Sequence, residues 1–92
     1  MVEFKKSERK NKKYAARTPS GKWVHFGNLK GTATQHYKDR TGLGLYSHLD
    51  HNDPKRLIAY RKRHGAIKLK SGKLAILDPE QPAFYSWRFL WT

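Results

Sequence analysis

The pattern of apolar and polar positions between Tyr14 and Gly27 predicts two β-strands joined by a turn. A Thr-Pro-Ser-Gly segment supplies the turn chemistry, and Trp, Val and Phe are side chains that pack well on a pleated sheet. We expect one face of this hairpin to contact a helix. A period of two residues places Trp23 with His25 on one face of the second strand and Val24 with Phe26 on the other.

The clearest helical pattern begins at Pro54 and continues for about three turns. Asn52 or Asp53 can cap the first turn, where Pro54 loses nothing by lacking an N–H group. Gly65 stands where a left-handed residue commonly ends a helix. The helical positions form two faces: Leu57, Tyr60, Arg61 and His64 share one, with Ile58 beside it, and Lys55, Lys62 and Arg63 lie on the other, with Arg56 to one side.

A second hairpin with a two-residue Ser-Gly turn is predicted over Ala66–Leu77. In this segment the apolar residues alternate with lysines, which gives one buried face and one basic face. The buried face holds Ile67 and Leu69, and the basic face holds Lys68 and Lys70.

A short C-terminal helix is predicted after Pro82, because Phe84, Trp87 and Trp91 recur at helical spacing. The closing Leu-Trp-Thr either folds inward or is available to a neighbouring molecule. The predicted fold class is therefore α+β: one small domain with an N-terminal β-hairpin packed on a basic helix, a second short hairpin and a C-terminal aromatic helix.

The chain divides into a basic N-terminal arm at 1–13 and a single α+β domain at 14–92. The arm is expected to be flexible when free and to become ordered on an acidic surface or on phosphate. Segment 28–44 is predicted as a loop with a short turn of helix around Gln35–Arg40, because its glycines and threonines show no period.

Composition adds the strongest functional signal. The chain has 92 residues with 37% hydrophobic and 13% aromatic content, so a small core must be rich in rings. Its 20 Lys and Arg against 7 Asp and Glu give a formal net charge of +13, which indicates an anionic partner. The chain has no cysteine, which excludes disulfides, thiol catalysis and thiolate zinc sites. No apolar run has the length of a membrane span, so we expect a soluble protein kept in a reducing compartment.

The predicted contacts to a partner or to phosphate are cationic residues of the arm, the helix and the second hairpin. Tyr37, Tyr46 and Tyr60 lie among these cations and either stack on bases or pack in the core. No sequence-reading DNA-binding motif is present. The predicted contact residues are Lys5, Lys6, Arg9, Lys10, Lys12, Lys13, Lys55, Arg56, Arg61, Lys62, Arg63, Lys68 and Lys70.

One group of residues has the chemistry for a metal site. His48, Asp50, His51 and His64, near Asp53, offer the imidazole and carboxylate ligands that suit Zn²⁺ or Mn²⁺. Their spacing matches no familiar metal motif, and helix capping and the helix dipole also explain them. We therefore expect no metal, no cofactor and no catalytic residue.

A resemblance to a known family rests on five stretches: Lys6–Tyr14, Val24–Gly27, Tyr37–Asp39, Leu45–Gly65 and the closing Leu90-Trp91. These stretches resemble a family of small basic proteins of unknown function from large DNA viruses and some bacteriophages. The resemblance is most specific between Tyr46 and Gly65, whereas Ala66–Leu77 departs from the pattern. It implies a viral origin and a place in the particle, and it supplies no catalytic residues.

Three functions follow from charge, size and resemblance. The first is a non-enzymatic virion structural protein, a minor capsid or cement component that docks on the acidic surface of larger capsid subunits, on the packaged genome or on both. The second is a sequence-nonspecific nucleic-acid-binding protein of a virus or phage. The third is a metal-dependent nuclease. The expected location is the virion, and the host cell interior during assembly, without a membrane partner and with oligomers only inside an assembly.

Overall fold

Within residues 2–31 and 34–92, three antiparallel strands form one sheet in sequence order, and two α-helices complete the fold. The computed structural model describes residues 2–31 and 34–92. The predicted arm and loop include Met1, Thr32 and Ala33, which lie outside the described residues. The elements are β1 (Phe4–Lys6), β2 (Lys12–Arg17), β3 (Trp23–Asn28), α1 (Pro54–His64) and α2 (Pro82–Phe89), which confirms the α+β class.

The N-terminal hairpin is confirmed as β2 and β3. Tyr14 pairs with Phe26 and Ala16 pairs with Val24 in an antiparallel register. Phe26 is buried with Val24 packed against the same cluster, as the period of two residues predicts. The hairpin therefore follows from local sequence, since both its turn chemistry and its alternation are visible in the chain.

We expected residues 1–13 to form a flexible arm. The structure corrects this expectation, because part of this segment belongs to the sheet. Phe4 pairs with Ala16, and Lys6 pairs with Tyr14 across the β1–β2 ladder. The Phe4 ring contacts Phe89 at 4.7 Å between centroids. Val2 and Phe4 both pack against the core cluster, and β2 becomes a central strand with a partner on each side, so the segment is fixed by core packing and strand pairing.

The core lies between the sheet and α2. Its buried residues are Tyr14, Ala16, Phe26, Tyr85 and Leu90. We expected the hairpin to pack on the basic helix, and instead its core face packs on the aromatic helix α2. The rings of α2 and the residues after it supply the large apolar area that a basic helix lacks.

The basic helix α1 begins as predicted and ends differently. The Asp53 carboxylate accepts a hydrogen bond from the Lys55 amide, and Pro54 occupies the first turn. Gly65 has φ −66°, which is right-handed, so the predicted left-handed terminator is wrong. A Cβ at Gly65 would lie 3.2 Å from the Trp87 ring and 2.7 Å from the Arg61 carbonyl oxygen. Close approach, and not a left-handed backbone, explains glycine at this position.

The helical turn predicted at Gln35–Arg40 is wrong. His36 instead forms a parallel bridge with Asp50, and a short 3₁₀ helix lies at Ser47–Leu49. The His36 amide donates to the Leu49 carbonyl, and the His51 amide donates to the His36 carbonyl. The segment before α1 is therefore held by a pairing between residues distant in sequence.

The second hairpin over 66–77 is reduced to a turn with one isolated bridge, between Lys68 and Leu74. Its returning half is a 3₁₀ helix at Ala75–Leu77, where Ile76 is buried. Ile67 was expected to be buried and is 47% exposed. The 3₁₀ helix takes the place of the returning strand, so the alternating pattern forms a single bridge and no extended ladder.

The C-terminal helix is confirmed. It contains Phe84 and Trp87, and Trp91 lies just beyond its end. Leu90 is buried, and the Trp91 ring stacks on Tyr60 at 4.1 Å between centroids. Of the two alternatives for the closing residues, the inward one holds.

Candidate anion-binding surface

The outer face of α1 carries a cluster of exposed basic residues. Lys55 with Lys62, and Arg56 with Arg63, are pairs seven residues apart, so each pair lies on one side of the helix. All four side chains are exposed. Lys68 and Lys70 are also exposed, in the turn that follows. We call the four residues of α1 the basic face.

Each of the seven acidic residues has at least one hydrogen bond or ion pair within the chain. This matters because an acid beside the basic face could neutralise it. The contacts are Glu3 with Arg17, Glu8 with Lys5, Asp39 with Tyr14, Asp50 with His36, Asp53 with the Lys55 amide, Asp78 with the Glu80 amide, and Glu80 with Ser20.

The basic face has no ionic partner of its own in the described ranges 2–31 and 34–92. The sequence contains no Asp or Glu between Asp53 and Asp78, while this interval holds eight Lys and Arg. Arg56 is bound only through a neutral group, since its guanidinium donates to the Gln35 side-chain oxygen at 2.8 Å. The surface therefore carries positive charge that its own carboxylates do not balance.

Arg61 was predicted as a partner contact, and its side chain instead points inward. Its guanidinium lies over the Trp87 ring at 4.4 Å. It also donates to the Trp91 carbonyl oxygen and to the Thr92 hydroxyl, both at 3.0 Å. Arg61 holds the closing residues against α1, where cation–π and hydrogen-bond contacts act together.

Lys13 is the second predicted contact that the structure places inside. Its residue is 1% exposed, and its ammonium group donates to His36 Nδ1 at 2.9 Å. Burial lowers the pKa of Lys13 from 10.5 to about 8, against the raising effect of Asp39 and Asp50. A side chain so enclosed does not reach a partner.

His36 links Lys13 to Asp50. Because the Lys13 ammonium has only hydrogens to donate, His36 Nδ1 must accept, and the proton lies on Nε2. Nε2 then donates to the Asp50 carboxylate at 2.5 Å. Burial, followed by the charge of Lys13, lowers the pKa of His36, so the ring is neutral at pH 7.

A second carboxylate completes the buried network. Asp39 accepts hydrogen bonds from the Tyr14 hydroxyl and from Thr41, and its own amide donates to Asp50 at 2.9 Å. Burial, then the bond to Asp39, raises the pKa of Tyr14 to about 12. We call Lys13, Tyr14, His36, Asp39 and Asp50 the buried network. It joins β2 to the segment that leads into α1, and so fixes where the basic face stands.

Sequence reasoning missed His36, Asp39 and Tyr14 as members of one group. Their partners lie up to 25 residues away in the chain, so no local spacing indicates them. One signal was available. Lys13 precedes the uncharged run Tyr14-Ala15-Ala16, and such a run without polar alternation is typical of a strand covered on both faces, where a lysine requires an internal partner.

The remaining predicted cations lie near the start of the sheet. Lys6, Arg9 and Lys10 are exposed at or near the β1–β2 turn. Lys5 is paired with Glu8 and lies over the Trp23 ring at 4.4 Å. Lys12 is half-buried at the beginning of β2. These residues form a smaller basic area that is separate in sequence from α1.

The four residues proposed as metal ligands each contact a different partner and do not form a common site. Asp50 is bound to His36, His64 stacks on Tyr60 at 4.1 Å, and His51 lies beside Trp91 at 5.3 Å. His48 is exposed next to Tyr46. Within residues 2–31 and 34–92, no three His, Asp or Glu side chains are arranged to hold a metal ion.

Tyr37, Tyr46 and Tyr60 pack against other side chains of the protein, so their rings are not exposed for stacking on nucleic-acid bases. Tyr60 is buried between His64 and Trp91, with interplanar angles of 17° and 2°. Tyr46 packs edge-on against Tyr14, and Tyr37 packs against His51. Both faces of Tyr60 are covered, so it offers no platform for stacking.

Comparison with known proteins adds one match. Residues 2–38 match a family of unknown function (DUF5754). The match covers the sheet and the start of the following segment, and it does not reach the Tyr46–Gly65 block. No curated protein and no solved structure shows a significant match to the chain. No helix in the described part of the chain is long and apolar enough to cross a membrane.

Proposed function

We propose that this protein is a non-enzymatic, sequence-nonspecific nucleic-acid-binding protein whose basic face contacts phosphates. The observation that carries the proposal is the basic face itself, four exposed cations on one helix that form no ion pair with a carboxylate in the described residues. Uncompensated cations attract the phosphate backbone and release its bound counterions, which favours binding to any sequence.

The geometry of α1 suits a repeating anion. Residues seven apart on a helix are separated by about 10.5 Å along its axis, so the basic face presents two rows of charge. The cap at Asp53 and the Arg61 contacts hold the helix in place. Contacts to phosphate position a protein without reading bases, in agreement with the lack of a sequence-reading motif.

Salt dependence of binding tests this proposal directly. We expect the affinity for duplex DNA, measured by fluorescence anisotropy at several salt concentrations, to fall steeply as salt rises. The double variant Lys55→Gln/Lys62→Gln should make the logarithmic slope shallower by about 1.8, since each phosphate contact contributes about 0.9.

A matched control removes the same charge elsewhere. Lys22 and Lys38 are both exposed and lie outside α1. The variant Lys22→Gln/Lys38→Gln should keep nearly the wild-type slope. Equal slopes for the two double variants would show that net charge alone acts, and salt-independent or absent binding would refute the proposal.

A second candidate is a minor capsid or cement protein of a virus particle. The specific observation in its favour is Ile58, which is 56% exposed among the cations of α1, a combination that fits an acidic protein surface with apolar patches. It ranks second because part of the N-terminal arm, which was expected to dock together with the basic helix, is a strand of the sheet. Absence of the protein from gradient-purified particles would refute it.

A further inference from the structure

A cavity of about 360 Å³ lies between the sheet, α1 and α2. Lys12 and Gly27 contribute from the strands, Arg63 from α1, Ala83 from α2, and Gln35 from the segment after the sheet. None of the predicted functions had assigned a pocket, and this one opens beside the basic face because Arg63 belongs to both.

Positive charge stands at the rim of the cavity. Lys12 and Arg63 both line it, and neither forms an ion pair with a carboxylate in the described part of the chain. Arg56 donates to the side-chain oxygen of Gln35, another lining residue, which brings a third cation near the rim. An anionic group at this position meets several cations and no competing acid.

Aromatic and apolar groups form the inner wall. His64, Tyr60 and Trp91 all line the cavity as one stack, with 4.1 Å between successive ring centroids. Because both faces of Tyr60 are covered, only its edge can meet the cavity. The Tyr60 hydroxyl lies 3.0 Å from the Ser86 hydroxyl, which also lines the wall and adds a polar position.

Volume and chemistry together define the ligand class. The cavity has room for about twelve water molecules at ~30 Å³ each, far more than one phosphate needs. It falls in the usual range for small-ligand pockets of ~300–1,000 Å³. An apolar wall next to a cationic rim matches a molecule with a flat, weakly polar body and a phosphate.

We propose that this cavity binds one unpaired nucleotide, with its phosphate at Lys12 and Arg63 and its base against the ring edges. This inference deepens the proposed nucleic-acid binding and rests on it, since a strand lying on the basic face would deliver the nucleotide. Duplex DNA presents no unpaired nucleotide, so the cavity adds a preference for single strands.

Binding of adenosine monophosphate to the full chain, followed by amide chemical shifts and calorimetry, tests the cavity. Inorganic phosphate and adenosine serve as the two partial ligands. We expect the nucleotide to bind at least about tenfold more tightly than either part, because one charge-assisted contact alone corresponds to about tenfold.

Two variants separate the cavity from surface charge. Ala83→Leu fills the space without changing any charge, and should weaken adenosine monophosphate binding at least tenfold while duplex binding stays within twofold. Its control is Ala59→Leu, an exposed position on α1 outside the cavity. Arg63→Gln should weaken nucleotide binding about tenfold, and the neighbouring Lys62→Gln less than twofold.

Each outcome decides between the two proposals. If duplex DNA binds and adenosine monophosphate does not, the cavity inference fails and the proposed function stands. If inorganic phosphate binds as tightly as adenosine monophosphate, the assignment of a nucleotide to the cavity is refuted. The same holds if Lys62→Gln weakens adenosine monophosphate binding as much as Arg63→Gln does. If neither polymer nor nucleotide binds, both fail. If Ala83→Leu does not fold, the Arg63 and Lys62 pair gives the answer alone.

Discussion

Replacing Lys13 by methionine tests the buried network most directly. Lys13→Met keeps much of the side-chain volume and removes the ammonium group that donates to His36. The pKa of Lys13 is 10.5 when solvated and about 8 in the folded protein, a difference equivalent to about 3 kcal/mol. Between these pH values the unfolded chain holds more protons, so the free energy of unfolding rises with pH.

The size of this effect follows from the two pKa values. From pH 7 to pH 10, Lys13 contributes an increase of about 2.5 kcal/mol to the stability of the wild type. Lys13→Met lacks this contribution, so the stability difference, wild type minus variant, should grow by that amount. Tyr14, whose pKa is raised to about 12, opposes the rise above pH 10, but it is present in both proteins and cancels.

Urea unfolding followed by tryptophan fluorescence at pH 7, 8, 9 and 10 supplies the measurement. Lys10→Met is the matched control, because it removes a lysine that is exposed near the β1–β2 turn. It should follow the wild-type pH profile. Parallel profiles for wild type and Lys13→Met would mean that Lys13 is not buried as a cation, and the network would have to be abandoned.

Three further predictions concern the fold. Gly27→Ala should lower the free energy of unfolding, measured by urea titration, by about 1–3 kcal/mol. The reason is that Gly27 has φ +82° and the new Cβ would lie 2.9 Å from Lys13 Cβ. Gly21→Ala is the control and should lower the free energy of unfolding less, because the space around Gly21 is open. Asp53→Ala should cost about 1 kcal/mol in the same assay with loss of helical circular dichroism, whereas Asp53→Asn should nearly preserve both. The folded protein lowers the pKa of His36, so as the pH falls the unfolded chain binds a proton at this histidine before the folded protein does. Thermal melts should therefore show stability falling as the pH drops below 6.5, and His36→Gln should make this fall shallower.

The elements whose signals lie within a few residues of each other were predictable from the sequence. The hairpin needed only the turn residues and the alternation that ends at Phe26, and α1 needed only the Asp53 cap and Pro54. The aromatic spacing of Phe84 and Trp87 was enough for α2. These signals act within a few residues, which is the range over which a single sequence can be interpreted.

The candidate site was only partly predictable. Lys62 and Arg63 are exposed as the helical period suggests, but Lys13 and Arg61 have the same composition signal and lie inside. Whether a cation faces solvent depends on tertiary partners such as His36, which no period indicates. The nucleotide-sized cavity combines strands and helices, so it could not be seen before the fold.

The lack of an ion pair on the basic face, among the described residues, has a consequence for how a ligand arrives. Many basic surfaces are masked by a flexible acidic segment of their own chain, which must leave before a partner can enter. In the described residues no carboxylate forms an ion pair with the basic face, so an approaching anion has no intramolecular ion pair to displace there. Encounter should then be governed by diffusion, charge and ionic strength alone, and the surface is ready as soon as the chain has folded.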